Sequence, residues 1–277
     1  MKHSEGTFQG VRDLKIYHQA WLPEGKPRAA LLIVHGLGEH SGRYTNVVNH
    51  FVPSGFALYG IDHIGHGKSG GEREMLARFE DFTEPLAVYQ KMIAEAHPGL
   101  PLFIYGHSMG GLITAFYLLD HQKEFTGAIL SAPAVKIPQN ISALTVTLGR
   151  VFSTIAPKMG LIQLGAAGIS RDDAVVKAYN NDPLVFHGKT TARLSAEMLR
   201  AMMRVTAEVE KITLPLFILQ GSADYLVDPD GAKMVYEKAA SVDKTLKLYD
   251  GLYHEVHNEP EREVMFNDLE NWINAHI

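Results

Sequence analysis

The run Gly106-His107-Ser108-Met109-Gly110 places a serine between two glycines in the spacing G-x-S-x-G. A serine hydroxyl is a weak nucleophile at its ordinary pKa, and acyl transfer needs a base to take its proton and a third group to orient that base. The spacing alone is common, so the flanking residues must carry the reading. The apolar run Leu102 to Tyr105 reads as a strand leading straight into Gly106, and a helical pattern begins at Gly110-Gly111-Leu112. A serine on so sharp a strand-to-helix turn is held in a strained backbone conformation, and small flanking residues let the two elements pack closely. Its hydroxyl then projects beside a helix N-terminus, which favours developing negative charge.

In chains built around such a turn, the acid and then the histidine follow the serine in sequence. Leu214 to Gln220 reads as a late strand, and Gly221-Ser222-Ala223-Asp224 follows it, so Asp224 is the expected acid. Asp228 and Asp230 are rivals that lie deeper in the loop beside Pro229, where they suit a turn or a helix cap. Thr245 to Tyr249 is the last strand, and the loop after it carries His254, the expected base. His257 is its near rival, and His276 a remote one in a terminal helix. An oxyanion needs two backbone N–H donors. Met109, after the serine, is expected to supply one, and Leu37, in His35-Gly36-Leu37-Gly38, the other. His35 reads as a structural hydrogen-bonding residue.

The elements that must position these groups alternate between β-rich and helical runs, the pattern of an α/β fold with a mostly parallel central sheet flanked by helices. Ala29 to Val34, Phe56 to Ile61, Leu102 to Tyr105 and Ala128 to Ser131 read as buried strands. Glu80 to Glu95 and Leu112 to Leu119 read as helices, and Asp13 to Leu22 as part of an antiparallel edge hairpin. From Lys136 to Lys211 no convincing strand is found. Helix-like pieces (Ile141 to Ile155, Arg171 to Tyr179, Ala192 to Val209) replace the pattern, too much for a loop. The expectation is a core of residues 1–135 and 212–277 with an inserted helical cap, residues 136–211, over the end of the sheet where such folds bind ligands. Pro260 to Ile277 reads as the closing helix.

The full chain has 277 residues, 46% hydrophobic and 21% charged, with a net charge of −5, which disfavours nucleic acid and anionic membrane surfaces as main partners. It has no cysteine, which excludes disulfides, Cys-ligated zinc and a thiol nucleophile. The polar start Met1 to Gly10 lacks the apolar segment of a secretory signal, and a cytoplasmic location is the expectation. His254-Glu255-Val256-His257 begins like a zinc-protease helix, but its histidines stand three apart rather than four, so no metal is expected. Asp62-His63-Ile64-Gly65-His66-Gly67-Lys68-Ser69 ends like a phosphate loop but has Asp62 where that loop needs its first glycine. It reads as a tight turn with local side-chain bonds.

From about residue 10 to 275 the chain resembles the monoglyceride lipases, a family of α/β-hydrolases. The resemblance is carried by the segment from His35 to Tyr44, by Asp62 to Gly67, by Gly106 to Gly111, by Tyr179-Asn180-Asn181-Asp182-Pro183-Leu184, by Gln220 to Asp224, and by Tyr253-His254 with His257. It implies hydrolysis of monoacylglycerols to glycerol and a fatty acid without metal or organic cofactor. Ser108, Asp224 and His254 would form the triad, with Leu37 and Met109 as oxyanion donors. Glu39, Arg43 and His257 would line the glycerol end, and Tyr179 would shape the site from the base of the cap. A local salt bridge is the alternative reading of Glu39 and Arg43. The cap resembles the family in apolar character only; it includes Leu144, Val146, Leu148, Val151, Phe152 and Ile155, and an exposed apolar cap would suit peripheral contact with a lipid surface. Lysophospholipases and general carboxylesterases use the same triad, and a non-catalytic lipid-binding protein on the same fold is the reading from another class.

Overall fold

Runs of apolar residues with no polar interruption are found in strands buried on both faces, and here they form the middle of one sheet. The computed structural model describes residues 1–137, 152–163 and 165–277. An eight-stranded sheet has the order β1-β2-β4-β3-β5-β6-β9-β10. Its strands are β1 (Lys2–Gln9), β2 (Lys15–Leu22), β3 (Ala29–Val34), β4 (Phe56–Ile61), β5 (Leu102–His107), β6 (Gly127–Ser131), β9 (Leu216–Gly221) and β10 (Lys244–Tyr249). From β4 to β10 neighbouring strands pair in parallel, while β2 runs antiparallel to both β4 and β1. The expected edge hairpin is therefore present, but its outer strand is the polar N-terminal segment. β1 has no fully buried residue.

The alternation of a strand assigns its residues to two cores. Leu32, Val34, Ile104 and Leu130 face α2 (Glu80–Ala96) and α3 (Met109–His121), where Leu86, Ile113 and Phe116 meet them. Leu31, Ile33, Phe103 and Ile129 face the other way, against α1 (Thr45–Phe51) and the helix Arg262–Asn274 through Val48, Phe51, Phe266 and Trp272. Between β6 and β9, the described residues include the helices Asp173–Asn181 and Ala192–Glu208. They also include a short antiparallel pair, β7 (Gly160–Ile162) and β8 (Thr190–Thr191), which corrects the expectation of no strand in this stretch. Two- and three-residue strands carry too little pattern to be read from sequence. Leu194, Ala201 and Val205 of the long helix join the core cluster that contains Phe116, and the Arg204 guanidinium stacks 4.5 Å over the Phe116 ring. This helix seats the insertion on α3. Leu144, Val146, Leu148 and Val151, and with them most of the helix expected from Ile141, lie outside the described residues.

The turn after β4 is a clasp under the loop that follows β3. Asp62 accepts hydrogen bonds from the Ser41 N–H (2.8 Å), the Ser41 hydroxyl (2.6 Å) and the Lys68 N–H (2.8 Å), as the reading of local bonding expected. Beside it, the His63 N–H donates to His35 Nε2 (2.9 Å), and His35 Nδ1 lies 2.8 Å from the Gly36 carbonyl. An Nε2 that accepts fixes the proton on Nδ1, so His35 is neutral in this arrangement. Burial holds its pKa well below the ordinary 6.5, and with the neighbouring His66 it brings His63 to about 3. Burial likewise lowers His107 and brings His257 to about 4. Unfolded histidines bind protons near pH 6.5 and these buried ones do not, so stability falls as pH drops below that point. The loss is about 1.4 kcal/mol per group per pH unit until each folded pKa is reached. His66 has the opposite sign: burial would lower it, but Glu74, 3.1 Å away, raises it, so its contribution is complete below pH 6.5 and is lost only as pH rises. Urea unfolding at pH 7 and pH 5 is expected to show a markedly lower midpoint in acid. Coincident curves would mean these rings are solvated.

Candidate active site

Ser108 follows the last residue of β5 and precedes the first residue of α3, with φ 55° and ψ −120°. A non-glycine residue at positive φ costs on the order of 1–3 kcal/mol, so the surroundings must hold it. They do so from both sides: the Ser108 N–H donates to the Ser131 carbonyl (2.9 Å), and its own carbonyl accepts from Leu112 and Ala134 (both 3.1 Å). The flanking glycines allow the strand, helix and neighbouring loop to meet. A Cβ on Gly106 would stand 2.4 Å from the Gly110 carbonyl oxygen, and one on Gly110 would stand 1.9 Å from that of Val34.

Asp224 follows β9 as expected and is nearly enclosed, at 6% exposure. One oxygen, Oδ2, lies 2.7 Å from His254 Nδ1 and accepts at 2.7 Å from the Gln220 amide. The other accepts from the Leu226 (2.8 Å) and Val227 (3.1 Å) N–H groups. A carboxylate only accepts, so the proton of His254 sits on Nδ1 and Nε2 is left as the basic nitrogen. Ser108 and His254 line one cavity with Leu37, Glu39, Arg43, Tyr179 and Glu255. The rivals lie elsewhere. Asp228 and Asp230 pair with Lys136, and His276 with Asp243.

Both expected oxyanion residues border the serine. Met109 opens α3, whose first N–H groups have no partner within the helix. Leu37 lies on the loop after β3, which passes so near the serine that a Cβ on Gly36 would be 3.2 Å from Ser108 Cβ.

The polar end of the cavity is built around Arg43. Its guanidinium donates to Glu39 (2.6 Å) and, with two nitrogens, to both oxygens of Glu255 (2.7 and 2.8 Å). It also stacks 4.6 Å over the Tyr179 ring. Glu39 accepts further bonds from the Gly36 N–H (2.7 Å) and the Tyr44 hydroxyl (2.8 Å). Burial would lower the Arg43 pKa, but the charges of Glu255 and Glu39 prevail and raise it. The same pair acts in reverse on Glu255, where burial is overcome by Arg43 and the carboxyl falls to about 2. Glu39 and Arg43 thus do form a local salt bridge, and they also line the cavity. His257 differs from the expectation. It is fully buried, stacked 5.0 Å from the Tyr44 ring, and does not line the cavity. Its Nδ1 lies 3.3 Å from the Tyr105 hydroxyl, and its Nε2 has no hydrogen-bond partner among the described residues.

Sequence reasoning missed Glu255 and Gln220. Glu255 follows the base directly, but its partner Arg43 is 212 positions away, and no local pattern announces such a pair. Among the described residues no group of acidic, histidine or cysteine side chains is arranged to hold a metal ion, and no helix is long and apolar enough to cross a membrane.

Fold and site together define a serine hydrolase of the α/β-hydrolase class. A family model described as serine aminopeptidase, S33, matches residues 25–261. The monoacylglycerol lipase of Mycolicibacterium smegmatis is 36% identical over 99% of this chain and 98% of its own length. The monoglyceride lipase of Rattus norvegicus is 34% identical over 95% of this chain and 88% of its own. Among solved structures, the monoacylglycerol lipase of Paleococcus ferrophilus superposes over the whole of both chains with a TM-score of 0.82 at 29% identity. The chain belongs to the monoglyceride lipase family.

Proposed function

We propose that this protein hydrolyses monoacylglycerols to glycerol and a free fatty acid. Ser108 attacks the ester carbonyl while His254 takes its proton at Nε2, and Asp224 orients and stabilises the imidazolium. The Leu37 and Met109 N–H groups receive the negative charge that develops on the carbonyl oxygen. His254 returns the proton to the departing glycerol oxygen, and water then cleaves the acyl-enzyme by the same route. Glu39, Arg43 and Tyr179 form the glycerol end, with His257 supporting it from beneath, and residues 136–211 act as the cap.

The observation that carries this reading is the buried polar array of Glu39, Arg43 and Glu255 in the same cavity as Ser108 and His254. It offers charged donors and acceptors to a small polyol, and the Mycolicibacterium smegmatis and Rattus norvegicus relatives are named for that substrate class. Peptide hydrolysis, as in the family description, would place a substrate ammonium between carboxylates, but Arg43 already occupies that position between Glu39 and Glu255. Phe152 (49% exposed), Ile155 (75%), Leu161 (45%) and Ile162 (56%) support peripheral contact of the cap with a lipid surface, where the substrate resides.

A fluorophosphonate is expected to label the protein, and Ser108→Ala to abolish both labelling and turnover. With equal acyl chains, monoacylglycerol is expected to be cleaved faster than lysophosphatidylcholine. Faster cleavage of the phospholipid would replace the substrate assignment, and persistent labelling of the alanine variant would remove Ser108 from its role.

A further inference from the structure

We infer that Glu255 is a specificity-determining residue: by clamping Arg43 it leaves the alcohol end of the cavity with one net negative charge, which excludes leaving groups that carry a phosphate. The inference rests on the proposed ester hydrolysis at Ser108 and extends it to the charge of the alcohol.

Glu39 and Glu255 supply two carboxylates and Arg43 one guanidinium, and among the described residues no other one lining the cavity is an acid, an arginine or a lysine. His254 and His107 are the remaining titratable rings in that wall, and burial keeps His107 uncharged. The tyrosines that meet the array, Tyr44 and Tyr179, are held neutral because burial and Glu39 raise their pKa values. His257, in the layer beneath, is uncharged near neutral pH.

An unpaired arginine at this end would invite an anion, because its planar fork matches phosphate. Here the end-on Nη1–Nη2 edge of that fork is taken. Glu255 binds two guanidinium nitrogens in parallel, Glu39 takes a second bond from one of them, and the Tyr179 ring covers one face. Glu39 and Glu255 are 2% and 3% exposed, so solvent screens the excess charge poorly. Asn258 fixes Glu255 further, donating to it at 2.7 Å. A phosphate brought to this wall meets the repulsion of both carboxylates with the end-on Nη1–Nη2 edge of the guanidinium already occupied, while an uncharged diol meets acceptors on both carboxylates.

The test compares kcat/KM for a monoacylglycerol and for the 1-acylglycerol 3-phosphate of the same chain. The wild type is expected to prefer the neutral ester by about 100-fold, the size of a single like-charge contact at low screening. Glu255→Gln is expected to narrow that ratio about tenfold, and Glu255→Asp to restore it. A ratio unmoved by Glu255→Gln overturns the inference, as does a ratio that Glu255→Asp shifts equally. A second arm needs no variant: glycerol is expected to inhibit the wild type competitively, and glycerol 3-phosphate to inhibit at least tenfold less. Equal inhibition overturns the inference. If monoacylglycerol is a poor substrate yet other neutral esters show the Glu255-dependent ratio, the substrate reading falls and the role of Glu255 stands.

Discussion

Asp224→Asn is expected to lower kcat on the order of 10⁴-fold while leaving a folded protein. The magnitude follows from what surrounds the carboxylate. Four donors converge on it: the Gln220 amide and His254 Nδ1 on one oxygen, and the Leu226 and Val227 N–H groups on the other. An asparagine offers one acceptor end and one donor end. If its oxygen faces the backbone pair, its NH₂ meets His254, which must then carry its proton on Nε2 and can no longer accept from Ser108. If its oxygen faces His254, the NH₂ meets two backbone N–H groups with nothing to bond to. Either way a buried donor is left unmet, at a cost of about 1–3 kcal/mol in stability as well. Steady-state rates on a soluble ester and a urea titration read the two effects. A loss under about tenfold would mean that Asp224 neither orients nor stabilises the base.

Gly110→Ala is the second large effect, and it acts on folding before chemistry. The added methyl would stand 1.9 Å from the Val34 carbonyl oxygen and 2.5 Å from that of His35, both backbone atoms that cannot rotate aside. The end of β3 must then part from α3, carrying with it the loop that holds Leu37. Overpacking of this kind costs typically 1–3 kcal/mol, and more where only backbone can yield. A fall in Tm of roughly 10 °C or loss of soluble expression is expected. An alanine variant within about 2 °C of the wild type would show that the two elements are less closely packed.

The inner strands were legible because burial on both faces leaves a continuous apolar run; Ala29–Val34 and Phe56–Ile61 fall on the residues read from sequence. β1 was not, because Lys2 to Gln9 is held mainly by its backbone ladder and exposes most of its side chains, so it carries no clear hydrophobic alternation. α1 was missed for a different reason. Its seven residues present only Val47, Val48 and Phe51 to the core, too few to establish a helical period. Among the site residues, chain order and placement just after the late strands led to Asp224 and His254, and the structure brings them together. The features that set the polarity of the cavity depend on pairings across the whole chain. Arg43 meets Glu255, and His40 meets Asp182 of the insertion at 2.9 Å; a reading that proceeds locally sees each residue but not its partner.

The strands on either side of the insertion, β6 and β9, are direct neighbours, with Ala128 opposite Leu216 and Ser131 opposite Leu219. The chain therefore leaves the sheet and returns beside its own exit. Lengthening or shortening the excursion neither shears the ladder nor displaces Asp224 and His254, and closing a longer loop costs only about 0.6 kcal/mol per doubling of its length. The insertion, proposed above as the cap, is thus free to diverge in size and sequence while the hydrolytic machinery stays in register.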